Sequence, residues 1–393
     1  MAKRGLRPGA VSDELYTMML DPDQAGIILA KWVTGNELEF EPYQKIELKT
    51  GDKVRQIYTS SWPYRIVLMA LQEVLSKHLE ACYSPRLYSY RKGRSNLMAH
   101  QAFRTFLKNQ FKNRGVFVAK RDITAYGDSI PPAQLFQKLE RIFPRQELPT
   151  LYRLLEGALR ANFVDLDGTL GSFELGIPTG APITPVLENF FLTDHDLWMD
   201  RICEENPDCF YARYGDDFIF ATPDAARFKS VVHESDDRIE ALGLRFSSKK
   251  KIECELGTKT RYIEWLGKTF MSEGRTGPRP KHFREIYFSF RASFHALLTE
   301  LSLRVGDPLV SRPIIQEALT QFFTLQSNPR LSKLVESQNE PYFAKLIDAN
   351  SKKILVRWYT LKFGFGKSEA WKELRRFRIP SVNFQRRRGW RGP

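Results

Sequence analysis

The sequence predicts an α+β fold, with strands and helices mixed through its first 280 residues and a helical end. Three observations predict it. Short apolar runs bounded by turn residues recur up to residue 270. Stretches with apolar residues at helical spacing lie between them. From residue 281 onward only the helical spacing remains.

Each element has its own signal. Ile46–Lys49 and Val54–Tyr58 flank Thr50-Gly51-Asp52 and read as a hairpin. From Trp62 to Tyr83 the apolar residues Ile66, Met69, Ala70, Leu71, Val74, Leu75 and Leu79 keep a helical period. Val116–Ala119 is strand-like and runs into Asp122. Phe210–Tyr214 and Phe218–Ala221 are two short strands around Gly215, Asp216 and Asp217, a tight-hairpin signal. The segments Phe283–Val305, Pro313–Leu325 and Ser351–Phe363 are amphipathic helices.

Composition bounds the function. The chain has 393 residues, 42% apolar and 13% aromatic, enough for a sizeable core and against disorder throughout. No apolar run reaches the length of a spanning helix. The basic N-terminus has no apolar segment behind it, so no secretory signal is expected. Cys82, Cys203, Cys209 and Cys254 are scattered without a CxxC pair, as in reduced cytoplasmic proteins. The net charge is +14, and half of it lies from Trp371 to the end, where eight Lys or Arg meet one acid, Glu373. A polyanion is the natural partner, nucleic acid first. Trp371, Phe377, Phe384 and Trp390 interleave with that basic end, either to stack on bases or to pack against the helices.

The most informative segment is Tyr214-Gly215-Asp216-Asp217. Two adjacent carboxylates at a hairpin tip repel each other. A solvent-exposed turn tolerates them, and a divalent cation relieves them. Asp122 tilts the balance, because it too follows an apolar strand. Carboxylates from neighbouring strand ends can hold two cations about 4 Å apart for in-line phosphoryl chemistry. Between these acids, Gly176–Pro185 carries two Gly and three Pro and runs into the helical pattern Val186–Leu192, a shaped loop that lets backbone approach a nucleotide or a strand. Asp194-His195-Asp196 reads as the polar side of the following helix, and Asp165–Gly168 as a hairpin turn. The cysteines and His233, His282 and His295 carry no role.

These blocks resemble, in order, a reverse transcriptase of the bacterial group II intron-like kind, from Ile46 to Phe270. Lys49, Arg55-Gln56-Ile57 and Arg65-Ile66-Val67 resemble the first fingers motifs. Tyr88–Ser95 is similar to the "GFRxGRS" block. Asp122–Ile130 resembles palm motif A, Gly176–Leu192 motif B, and Tyr214–Asp217 the "YxDD" of motif C. Leu242-Gly243-Leu244 with Lys249–Lys251 resembles motif D, and Trp265–Phe270 the primer grip "FLGxxF".

The resemblance implies a right-hand polymerase, with fingers and palm in 1–280 and a helical thumb with a basic tail in 281–393. It implies two Mg²⁺ ions, with Mn²⁺ as a substitute, on Asp122, Asp216, Asp217 and the Ile123 carbonyl. Lys49 and Arg55 would clamp the incoming dNTP, with Tyr126, Gly127, Thr179 and Gly180 beside it. One of Lys249–Lys251, with Lys250 at the centre, is either a proton donor to pyrophosphate or part of a solvated face. Arg91 and Arg94 hold template phosphates or pack internally. Trp265 and Gly267 would meet the primer, and Arg386, Arg387 and Arg388 would bind strand phosphates. Partners follow: an RNA template, a dedicated non-coding RNA among the options, and a primer or RNA–DNA duplex. No membrane is expected. No His/Cys cluster follows the thumb, so a zinc-type endonuclease is not expected. The likeness extends to stand-alone bacterial reverse transcriptases, including those of antiphage defence.

Two positions depart from the family. Most relatives carry Phe or Tyr five residues after the motif A Asp, a ring that excludes a 2′-hydroxyl; here stands Gly127, with Tyr126 before it. Relatives often have Gln where Thr179 stands. Sugar selection is then weakened, or Tyr126 replaces the ring. Two alternatives follow: an RNA-dependent RNA polymerase or one with relaxed sugar selectivity, and a non-catalytic, maturase-like RNA-binding protein.

Overall fold

The structure is a computed structural model that describes residues 21–35, 40–50, 53–110, 115–278, 280–323 and 341–377. It divides into two units. The first comprises the chain to Leu266 with Met271–Gly274; the second comprises Gly267–Phe270 and the chain from Arg275.

The first unit is built on a four-stranded antiparallel sheet. Strand β3 (Val116–Asp122) lies between β7 (Asp217–Thr222) and β8 (Ile252–Leu256), and β6 (Phe210–Tyr214) pairs with the far side of β7. Every β3 residue except Phe117 is buried, including Lys120, Arg121 and Asp122 beyond its apolar run. A single hydrophobic core joins this sheet to the helices Pro132–Glu140, Pro149–Arg160, Thr184–Phe191, Thr193–Glu205 and Ala225–Ala241. Asp224 starts the last of these by accepting from the Ala226 and Arg227 amides at 2.9 and 3.0 Å.

A second sheet carries the hairpin read from the sequence. β1 (Tyr43–Thr50) and β2 (Lys53–Thr59) pair from Gln44↔Thr59 to Thr50↔Lys53. The short strands β4 (Phe163–Val164) and β5 (Leu170–Gly171) extend it on the β1 side. Asp165–Gly168 is the turn between them, as expected, and Asp165 takes a 3.0 Å salt bridge from Lys45. The helix Trp62–Leu79 follows β2 and buries Val67, Leu68, Leu71, Leu75 and Leu79.

Among the described residues, the second unit is helical apart from the pairing of Lys268–Phe270 with Thr276–Pro278. Helices Pro280–Arg304, Arg312–Phe323, Pro341–Phe363 and Lys367–Leu374 meet in an aromatic-rich core around Phe290, Phe294, Phe323 and Tyr359. The third helix begins ten residues before the expected Ser351, because Asp348 and Asn350 blur its apolar stripe without breaking it. Phe377 is buried in this core and Trp371 packs on it, so both serve packing; Phe384 and Trp390 lie outside the described residues. Among the described residues no helix is long and apolar enough to cross a membrane.

Candidate active site

The strand register brings the acids together. Asp122 ends β3 directly opposite Asp217, which begins β7. Opposed residues of antiparallel neighbours put their side chains on one face. Asp217 also pairs with Tyr214, so Gly215 and Asp216 form a two-residue turn. Gly215 sits at φ +65°, a left-handed backbone that such hairpins need and glycine adopts freely. The Ile123 amide donates to the Asp216 carbonyl at 3.1 Å and fixes the turn against the end of β3.

The electrostatics are strained in the direction a cation relieves. Burial, then the Asp122 carboxylate, raises the Asp216 pKa. Burial pushes Asp217 up to about 6, against Lys120 at 3.6 Å, and Asp122 and Asp216 add to the rise. One carboxylate oxygen of Asp217, Oδ1, is buried without a hydrogen bond. Lys250 donates to Asp122 Oδ1, so an ammonium supplies positive charge there. Among the described residues, no three His, Cys, Asp or Glu side chains close into a ready metal cage. The donor set nevertheless fits Mg²⁺: all oxygen, carboxylate-rich, with an unsatisfied buried acceptor.

Residues 48–270, more than half of the chain, match the family described as reverse transcriptase (RNA-dependent DNA polymerase). The chain belongs to the reverse transcriptase family. The COX1/OXI3 intron 2 protein of Saccharomyces cerevisiae is 31% identical over 176 residues, which cover 44% of this chain and 19% of that protein. Protein YkfC of Escherichia coli is 26% identical over 154 residues, 38% of this chain and 39% of that one. The matches therefore span well under half the length of either relative. Telomerase from Candida albicans, solved in complex with the TWJ fragment of telomeric RNA, has TM-score 0.52 at 12% identity, covering 89% of this chain and 66% of that one. Apo telomerase from Candida tropicalis has TM-score 0.51 at 12% identity, covering 88% and 68%. At those identities the likeness establishes the fold, a right-hand polymerase.

This reverse transcriptase bolts its acidic hairpin from behind. Arg213, on β6, has no exposed surface and forks onto Asp196, whose carboxylate is equally enclosed. Its Nε reaches Asp196 Oδ1 at 2.8 Å and its Nη2 reaches Oδ2 at 2.6 Å. The rest of the guanidinium donates to the carbonyls of Gly215 at 2.9 Å and Asn189 at 3.0 Å. Ser89 Oγ accepts from the Gly215 amide at 2.8 Å and donates to Asn189 Oδ1 at 3.1 Å. The expectation for Asp194-His195-Asp196 is thereby corrected: only Asp194 is on the surface. His195 is buried against Ser235 Oγ at 2.9 Å, and burial holds its pKa down at about 4.

The loop before the motif B helix bridges β2 and the short helix Tyr126–Ser129 that follows β3. Thr179 accepts from the Tyr58 amide of β2 through its carbonyl at 2.8 Å, and donates to Asp128 Oδ1 through its hydroxyl at 3.1 Å. A Cβ on Gly180 would lie 3.0 Å from Ile57 Cβ, so the loop's approach to β2 leaves little room for a side chain. Tyr126 is buried and donates to the Glu188 carbonyl at 2.5 Å; burial raises its pKa.

The other expected residues divide sharply. Arg55 is exposed on β2, yet its field lowers the pKa of Asp216, so it faces the acids. Lys49, opposite Val54, is also exposed. The lysine run resolves: Lys250 takes Asp122, whereas Lys251 pairs with Asp236 at 2.7 Å. Arg94 is half-buried, 5.7 Å over the Tyr88 ring. Of the two roles open to Arg91, internal packing is the one its contacts support. Its guanidinium binds Glu80 and the Ser84 and Leu87 carbonyls, and its side chain is 6% exposed. Trp265 is corrected: it is wholly buried against His100 and Phe103 and cannot touch a primer. Gly267, at φ +85°, has open space where a side chain would be. Arg386, Arg387 and Arg388 lie outside the described residues.

Sequence reading missed Lys120, Glu188, Arg213 and Tyr90. Strand alternation places Lys120 on the face of Asp122, a signal that was there to read. Glu188 is the one charged residue of the helix Thr184–Phe191. Burial, then Asp216, pushes its pKa up to about 7. Tyr90 holds a strained φ of +52°, with its ring 6.4 Å from that of Tyr214.

Proposed function

We propose that the chain is an RNA-directed DNA polymerase that extends a primer with dNTPs, using two Mg²⁺ ions. The observation that carries this reading is Asp122 facing Asp217 across one strand pair, with Asp216 on the adjoining turn and a buried carboxylate oxygen unsatisfied. Asp122, Asp216 and Asp217 would hold the ions, with the Ile123 carbonyl completing the set. Bound divalent ions would neutralise the triphosphate and ease ionisation of the primer 3′-hydroxyl.

The chain's own groups do the rest. Arg55 and Lys49 grip the triphosphate from the β1–β2 hairpin, where guanidinium geometry suits paired phosphate oxygens. Lys250, already at the Asp122 carboxylate, is placed to hold a proton for the leaving pyrophosphate. Arg94 and Gly267 are the remaining strand contacts. Arg291, His295, Lys353 and Arg357 line a groove of the helical unit, a basic surface suited to duplex phosphates. The thumb role of residues 281–393, with the basic tail, belongs to this reading. So do an RNA template, a dedicated non-coding RNA included, and a setting in bacterial antiphage defence.

The test is incorporation of labelled dNTPs on a primed RNA template with Mg²⁺ or Mn²⁺. Template-directed extension that a chelator abolishes is expected. Tight RNA binding with no extension in either metal would contradict the reading and favour a non-catalytic RNA-binding role.

A further inference from the structure

The absent side chain of Gly127 leaves a space that two polar groups fill. A methyl placed there would lie 2.6 Å from Thr179 Oγ1 and 2.8 Å from Glu188 Oε1. The wall at this point is therefore a hydroxyl and a carboxyl, not hydrocarbon. Asp128 Oδ1 accepts from the Thr179 hydroxyl, so Thr179 is already engaged. The Glu188 carboxyl makes no hydrogen bond among the described residues, though its residue is more than half enclosed. Its oxygens are not fully buried, so water reaches them in the free protein. A ligand that displaces this water must bring a donor of its own, or the carboxyl is left unsatisfied.

The neighbouring charges say which part of a nucleotide that is. Asp216 and, less strongly, Asp128 act on the Glu188 carboxyl against Arg213, so it stands near Asp216, one of the acids read as facing the phosphates. A carboxylate repels phosphate, and the sugar is the next group along the nucleotide. We propose that Glu188 is a specificity-determining residue that accepts a hydrogen bond from the 2′-hydroxyl of an incoming ribonucleotide, so that this pocket takes rNTPs as well as dNTPs. This rests on the polymerase reading for the placement of the phosphates. Gly127 makes the arrangement possible, because any side chain there displaces Thr179 and Glu188 together. A wall meant to exclude the hydroxyl would be larger and apolar.

The test measures single-nucleotide incorporation of ATP against dATP on a primed RNA template, for the full chain and for Glu188→Ala and Glu188→Gln. Competition binding of the two nucleotides in Ca²⁺ is measured in parallel. Glu188→Ala should lower kcat/KM for ATP at least tenfold relative to dATP, mainly through KM. Glu188→Gln, which keeps an acceptor, should restore most of it. An unchanged ratio in both variants, or better use of ATP in Glu188→Ala, overturns the proposal. A wild type that binds both nucleotides and adds neither contradicts the polymerase reading, and the binding ratios then decide this one in the same way. A wild type that binds neither overturns it.

Discussion

Arg213 and Asp196 form an ion pair with no surface exposed on either side chain, and the same guanidinium holds the Gly215 carbonyl of the acidic turn at 2.9 Å. Stability and site geometry thus share one side chain. Removing one partner strands a buried charge, which costs about 3–5 kcal/mol. Asp196→Ala should lose stability of that order in urea denaturation. It should also lose extension activity under conditions where the variant remains folded. A loss below 1 kcal/mol, on the order of a surface pair, would show the bolt to be unimportant.

Arg55 and Arg91 are predicted to behave oppositely. Arg91 is committed to Glu80 and two carbonyls, so Arg91→Ala should lower Tm and leave template affinity unchanged once folded. Arg55 is exposed and felt by Asp216, so Arg55→Ala should leave Tm unchanged. It should raise KM for dNTP by about tenfold or more, the scale of a charge-assisted hydrogen bond. Thermal melts and steady-state kinetics separate the two.

Lys250 and Lys251 are adjacent but engaged with different acids. Lys250→Met should slow single-turnover extension by about 10²-fold, the low end for general acid catalysis. Lys251→Met should leave the rate nearly intact, since its partner Asp236 retains Arg121 at 2.9 Å. Equal rates for the two variants would remove Lys250 from the mechanism.

Glu188 gives a pH signature in the metal-free protein. Its carboxyl has an ordinary value of 4.5 and is pushed up to about 7 by burial and Asp216. Between those values the folded state keeps a proton that the unfolded state has lost. Stability therefore falls as pH rises through that window and levels off above it. Glu188→Gln removes the titration, so its Tm advantage should grow from pH 4.5 to 7 in a chelator. A constant difference across that range would contradict the shift.

What the sequence revealed was local or set by strand pairing. Alternation and turn residues locate the β1–β2 hairpin and the Gly215-Asp216 turn, and the strand ends put Asp122 beside them. What it hid depends on contacts between distant segments. Nothing near Asp196 shows that Arg213 will neutralise it, so its helix reads as half polar. Arg91 and Trp265 occupy motif positions, but position does not say whether a side chain faces a strand or the core. Three consecutive lysines look alike until Asp122 and Asp236 select between them. Glu188 and Gly127 acquire meaning only when the motif B helix lies against the turn after β3.

On the proposed reading, Asp122 and Asp216 hold the ions for phosphoryl transfer. Single-nucleotide addition to a primed RNA template, with Asp122→Asn and Asp216→Asn beside the wild type, tests it most directly. Asp216→Asn should retain or gain thermal stability without metal, because burial and the Asp122 carboxylate already disfavour the Asp216 charge. Each variant should lose about 10³-fold or more in rate, as expected when a metal ligand is lost from an electrostatically driven site. A folded Asp216→Asn that adds nucleotide at close to the wild-type rate would contradict the account.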